Sequence, residues 1–271
     1  MPPGRTRCFC GYEPLMAATR RVLALCLLAC RAGLAIEIEF DSALFQKNVP
    51  QAQSRQELDA YLDVVQASSP VQVVAAATLF RGKFASSEFT SHVYRMEMLA
   101  HADLNERPNV IAAGERALAL NPHDVQTLLT LARAIAGAGE NKSERQPGLA
   151  SAEAYARNAL KEIETLKAPR SLSLDAWEGL CNRMRSSAHE SLGVIAFERG
   201  KFPESVAEFE QSTRLNTVPD GGQFYRLGIA YAAARNRNEA LAAFQKAEAL
   251  GPDPVRTKAR KQLSALGQMS R

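Results

Sequence analysis

The chain of 271 residues has little of what most protein chemistry needs: five cysteines, four histidines and one tryptophan, with aromatics at 7%. Cys8, Cys10, Cys26 and Cys30 stand near the start, so Cys181 is the only cysteine beyond residue 30. The body can therefore form neither an internal disulfide nor a four-thiolate metal site. His92, His101, His123 and His189 belong to no His-Glu-x-x-His pattern. Nor does the chain contain Gly-x-Ser-x-Gly, or Cys-x-x-Cys outside the leader. Cys181 and His189 are eight residues apart on one expected helix, about 12 Å of rise, too far for a dyad. Gly137 and Gly139 follow a helix rather than a strand and lack the lysine spacing of a phosphate loop, so they read as a flexible insert. Neither catalytic nor metal-ligating residues are expected, and no cofactor.

Charge of one sign is also scarce where it would matter. The formal charge is +4. Residues 1–35 carry Arg5, Arg7, Arg20, Arg21 and Arg31 against Glu13 alone, which leaves the rest of the chain neutral. A neutral body has no electrostatic footprint for nucleic acid.

The basic start is followed by a short apolar run. From Met16 the sequence passes through Arg20-Arg21, an uncharged stretch from Val22 to Ala29, then Arg31 and small residues ending at Ala35. This is the pattern of an export signal over residues 16–35, cleaved near 30 or 35, with 1–15 as a dispensable extension. Eight uncharged residues are too few to span the bilayer, which takes about 20 in a helix. Leu27-Leu28-Ala29-Cys30 resembles a bacterial lipobox, in which Cys30 would be lipidated. Thr19-Arg20-Arg21-Val22-Leu23 weakly resembles a twin-arginine signal. The expected location is the periplasm or envelope.

After a linker over 36–53, which includes the alternating Ile36–Phe40, apolar residues recur three and four apart in segments of 10 to 20 residues. Ser54-x-x-Glu57 fits a capping box, Ser69-Pro70 places a capping hydroxyl before a proline preset for the first turn, and Asp253-Pro254 does the same near the end. The class is all-α. Asp175–Glu198 reads as one long helix with Trp177, Leu180, Cys181, Met184, Ala188, Leu192 and Ile195 on one face. The tryptophan is therefore assigned to packing.

The chain also repeats. Residues 221–254 contain Phe224-x-x-Leu227-Gly228-x-x-Tyr231, then Ala240-x-x-x-Phe244-x-x-Ala247, Leu250 and Pro252. Residues 186–219 repeat the theme with Leu192-Gly193, Gly200-Lys201-Phe202, Phe209 and Leu215, but with Ala196, Ser205 and Ser212 at positions that differ. Residues 91–124 fit at Tyr94, Ala117, Leu120 and Asn121-Pro122 and depart at Met98 and Gly114. The unit from Val125 is interrupted after Gly137 by an insert of about eight residues. A divergent first pair covers Gln56–Gln66 and Pro70–Gly82, and Val255, Ala259, Leu263 and Leu266 form a closing helix with Arg256, Lys258, Arg260 and Lys261 outward.

This pattern closely resembles the tetratricopeptide repeat (TPR), a helix pair of about 34 residues. The resemblance implies a right-handed α-solenoid over 54–266, followed by a tail at 267–271. It further implies a non-enzymatic interaction scaffold of the exported bacterial type, whose concave groove takes a peptide or helix of a partner protein. The groove would present His92, Arg95 and Leu99, then Gln126, Leu129 and Arg133, then Ser187, Glu190, Val194 and Phe197, then Tyr225 and Ile229. The lysine–asparagine clamp of chaperone-binding members is missing, since Glu190, Val194, Tyr225 and Ile229 stand in those places. A self-associating structural scaffold and an envelope enzyme without a recognisable motif are the alternatives.

Overall fold

The computed structural model describes residues 50–137 and 142–268, with side chains from 148 onward in the second stretch and up to 267. The leader, the candidate lipobox at Cys30 and the alternating Ile36–Phe40 stretch lie outside the described residues. All described residues belong to one compact unit, Ser42–Arg271.

They form helices in antiparallel succession, with no strand among them. These are α1 (Arg55–Val65), α2 (Pro70–Lys83), α3 (Thr90–Asp103), α4 (Arg107–Leu120), α5 (Val125–Ala136) and α6 (Lys142–Thr165). The series continues with α7 (Leu174–Glu198), α8 (Phe202–Leu215), α9 (Gly221–Ala233), α10 (Arg237–Leu250) and α11 (Asp253–Gln268). The expected starts hold at two of three capping sites. Ser54 accepts from the Glu57 amide and Ser69 from the Gln72 amide, with Pro70 in the first turn. Glu57 reaches back one residue further than a capping box requires, accepting from the Gln53 amide at 2.6 Å. Asp253 lies inside its helix, and its carboxylate takes the Arg256 guanidinium at 2.8 Å. The polar residues after Lys142, expected to be part of an insert, already belong to α6.

Each hairpin is closed by the same pair of positions, and their sizes are complementary. A Cβ on Gly228 would lie 2.7 Å from the Phe244 ring, and one on Gly193 would lie 2.7 Å from the Phe209 ring. Glycine is required at these two places because a ring lies directly over the helix backbone. In the second hairpin the sizes are exchanged: Met98 occupies the glycine position and Gly114 the phenylalanine position, with a Gly114 Cβ 2.9 Å from the Met98 sulfur. The two departures noted in the sequence therefore compensate each other. In the first hairpin Val64 and Phe80 share one cluster, and in the third Ala132 and Ala156 leave room for Leu192 of the next hairpin. Packing at crystal-like density permits any of these solutions so long as the summed volume is kept.

The turns inside three hairpins are also alike. Asn105, Gly200 and Arg235 have positive φ, at 58°, 74° and 65°. The next residue in each case, Glu106, Lys201 or Asn236, donates its amide to the carbonyl five residues back at 2.9 Å. This left-handed closing residue satisfies carbonyls that the helix end leaves open.

Odd-numbered helices touch their odd neighbours, α1 with α3, α3 with α5, α5 with α7 and α9 with α11; no two even-numbered helices meet as extensively among the described residues. The odd helices are thus closer together than the even ones, and they form the inner wall of the stack. The first turns of α7, longer than its counterparts, lay Cys181, Trp177 and Met184 against Val125, Leu128 and Ile163 of the third hairpin. Trp177 is packing, as expected from its spacing. At the far end α11 buries Ala259 and keeps Lys258 and Lys261 exposed, while Arg260 turns back to Glu248 at 2.6 Å.

Candidate functional site

The inner wall is built from the exposed stripe of each odd helix, one turn after another. The structure divides the twelve expected groove residues into those that hold hairpins together and those that remain available. Arg95 belongs to the first group. It is 3% exposed, donates from Nη1 to Gln126 Oε1 at 2.9 Å and lies 3.8 Å from Asp124. Asp124 in turn caps α5 by accepting from the Thr127 amide at 2.8 Å. Arg95 and Gln126 therefore join α3 to α5, and the expectation that Arg95 faces a ligand is corrected. The Gln126 amide and the Asp124 carboxylate offset the desolvation of this buried guanidinium.

His92 is similarly engaged, its Nδ1 hydrogen-bonded to the Tyr61 hydroxyl of α1. Tyr225 packs its ring 5.7 Å from Phe244, and Phe197 packs 5.4 Å from Phe202. Ser187 is half-buried and its carbonyl accepts from the Ser191 hydroxyl.

Leu99, Leu129, Val194 and Ile229 are half-buried on successive odd helices, and Arg133 is exposed. Glu190 forms an ion pair with Arg226 of the next odd helix. Burial pushes the Glu190 carboxyl up from the ordinary glutamate range, and the Asp220 charge adds to this; Arg226, Arg133 and a hydrogen bond from Gln223 pull the other way. Sequence spacing does not reveal Arg226, because the two residues meet across hairpins rather than along one helix.

Beside this pair lies a buried polar network that explains the serines of the fourth unit. Ser186 donates to the Ser212 carbonyl at 2.9 Å, and the Gln223 amide nitrogen donates to the hydroxyls of Ser186 and Ser212, each at 3.2 Å. Gln223 also completes a capping box with Asp220, and its oxygen accepts from Asn216 at 2.7 Å. Ser205 donates to the Gly193 carbonyl at 2.8 Å. Satisfied in this way, buried hydroxyls and an amide fix the register between the fourth and fifth hairpins.

Three of the histidines each meet a glutamate. His101 meets Glu106 at 2.7 Å and approaches Glu97 at 4.0 Å, both from its own hairpin, and Glu97 is taken by Arg81. His189 meets Glu208 at 2.6 Å and His123 meets Glu162 at 2.9 Å. Burial raises the Cys181 thiol above its ordinary range, away from thiolate reactivity. A cleft of about 320 Å³ between α6, α7 and α8 is lined by Glu153, paired with Arg157 and Arg199, by Lys201, paired with Glu204, and by Glu208, which meets His189. No group of three metal-ligating side chains occurs among the described residues, and no described helix is long and apolar enough to cross a membrane.

No family model and no curated protein matches the chain. Among solved structures it is similar to TTC0263, a thermophilic TPR protein of Thermus thermophilus, at 13% identity and a TM-score of 0.49, over 78% of this chain and 97% of that one. It is also similar to a MamA RS-1 ArsTM double mutant, at 12% identity and a TM-score of 0.46, over 72% and 94% of the two chains. A tetratricopeptide repeat protein from Parabacteroides merdae aligns over 78% and 97%, at 13% identity and a TM-score of 0.32. With Gly228 under Phe244, Gly193 under Phe209 and the same left-handed turn closing three of its hairpins, this chain is an all-α stack of antiparallel helix pairs.

Proposed function

We propose that this protein is a non-enzymatic scaffold of the cell envelope that holds a peptide or a helix of another protein against the inner wall of its stack. The observation that carries this reading is the inner wall itself. Leu99, Leu129, Val194 and Ile229 offer half-buried apolar surface on four successive odd helices, with Arg133 exposed among them. Such a row suits a partner with spaced apolar anchors and an acidic group. The anchors supply most of the affinity, and the rest of the wall contributes shape. The envelope location rests on the export-signal pattern of residues 16–35, and intact mass of the mature protein, shortened to begin near residue 30 or 35, tests it.

The partner is tested by placing a photo-activated cross-linking residue at Leu99, at Ile229 and, on the outer surface, at Glu239. One and the same protein should be captured from Leu99 and Ile229 and not from Glu239, and Arg133→Glu should abolish that capture. Equal capture from all three positions, or indifference to Arg133→Glu, would refute a groove-bound partner.

A further inference from the structure

The two ends of the stack differ. At the C-terminal end α11 buries Ala259, half-buries Val255, Leu263 and Leu266, and leaves Thr257, Lys258, Lys261 and Ser264 exposed. At the other end the first hairpin carries half of the large apolar side chains that are exposed among the described residues: Leu58, Leu62, Val65, Val71 and Leu79. Val71 and Leu79 are 65% and 66% exposed. They lie eight residues apart on α2 with Ala75 between them, on one face of a helix that has no charged residue from Pro70 to Phe80. An exposed apolar stripe of this kind marks a contact surface more often than a free one.

Register identifies what this face is. Thirty-four residues after Leu62 stands Met96, which packs against the core cluster of the preceding hairpin. Thirty-four residues after Asp63 stands Glu97, which receives Arg81 from the preceding hairpin. The position of Leu79 is held in the fifth hairpin by Ala243, buried in a cluster with Val206 and Phe209 of the hairpin before it. Leu62, Asp63 and Leu79 thus occupy places that elsewhere in this chain are turned toward a preceding hairpin, and the first hairpin has none among the described residues. A helical repeat stack leaves such an end open only at a cost in exposed apolar area.

We infer that this open face is the contact between two copies of the chain, joined about a two-fold axis with their α2 helices antiparallel. Charge placement favours this occupant. The antiparallel hairpin sets Lys83 at one of its ends and Asp63 toward the other, both exposed, while Arg55 at the Lys83 end is paired with Asp59 at 3.0 Å. A two-fold axis through the middle of α2 brings the basic end of one copy over the acidic side of the other, and opposes the two helix dipoles. The uncharged Val71–Ala75–Leu79 stripe then meets its own copy with no like charges on the axis. An isologous contact of this kind closes at two copies and leaves both inner walls accessible.

Sedimentation equilibrium of the full-length mature protein tests the inference. Wild type should show a monomer–dimer equilibrium. Leu79→Glu, at an exposed position where the change leaves the core of the hairpin intact, should weaken it by about tenfold or more, since two carboxylates would meet in the contact. Asp63→Lys and Lys83→Glu should each weaken the dimer, and the double variant should restore it. Retained helical circular dichroism separates these effects from misfolding. A strict monomer overturns the inference. In that case maleimide reaction at Leu79→Cys tells a face covered by other parts of the same chain, unreactive, from one open to a different protein, reactive. A dimer insensitive to Leu79→Glu also overturns it.

Discussion

Replacing Gly228 with alanine probes the packing rule on which every hairpin rests. The new Cβ would stand 2.7 Å from Cδ1 and Cε1 of Phe244 and 3.1 Å from Cγ, whereas carbon atoms pack favourably at about 3.5–4.0 Å. The ring would have to retreat by roughly 1 Å, and it is 0% exposed with neighbours on every side. Overpacking of this kind costs about 1–3 kcal/mol, against a gain of about 1 kcal/mol from the helix propensity of alanine. Phe244→Leu alone should also destabilise, by roughly 1–2 kcal/mol, through the void it leaves. Combined, the alanine methyl enters that void, so the double variant should be less destabilised than the sum by about 1–2 kcal/mol. Met98 with Gly114 is a natural exchange of sizes at the same two positions. Urea unfolding followed by circular dichroism measures all four corners of the cycle, with the m-value watched because a stack of repeats can lose all-or-none behaviour. Additive effects, or a Gly228→Ala variant stabilised as propensity alone dictates, would refute the inferred contact between ring and helix.

Arg235 has φ of 65° where the fourth hairpin has Gly200 at 74°, so Arg235→Gly should stabilise by about 0.5–1 kcal/mol as the left-handed strain is relieved; a loss in the thermal midpoint would contradict that turn. Glu153 is held below the ordinary value near 4.5, first by its hydrogen bond from Arg199 and then by that from Arg157. A carboxyl depressed in the fold adds stability that is complete above the unfolded value and disappears as pH falls through the folded one. Glu153→Gln should therefore cost about 0.5–1 kcal/mol at neutral pH and become nearly neutral in acid, as urea titrations at several pH values would measure; a difference that grows toward low pH would have the wrong sign.

The helix pairs were legible in the sequence because they follow from local rules: a period of 3.6, hydroxyls at Ser54 and Ser69, and a glycine–aromatic pair at fixed separation in the last two units; the start of α6, which read as part of an insert, was not. The long α7 and the packing role of Trp177 followed from the same periodicity. Met98 and Gly114, by contrast, read as two unrelated departures until the structure placed one against the other. The groove was the least legible part. The resemblance to the repeat family placed Arg95 and Glu190 in a groove, but Arg95 is engaged by Gln126 and Asp124 and Glu190 by Arg226. What the sequence determined by itself was the helical periodicity, the hydroxyl caps at Ser54 and Ser69, and the glycine–aromatic pairs of the last two units. What only the tertiary structure decided was which side chains meet between hairpins. The distance between a Glu190 and an Arg226 depends on how two units are stacked, and that stacking is set by the summed volume of core residues rather than by any spacing along the chain.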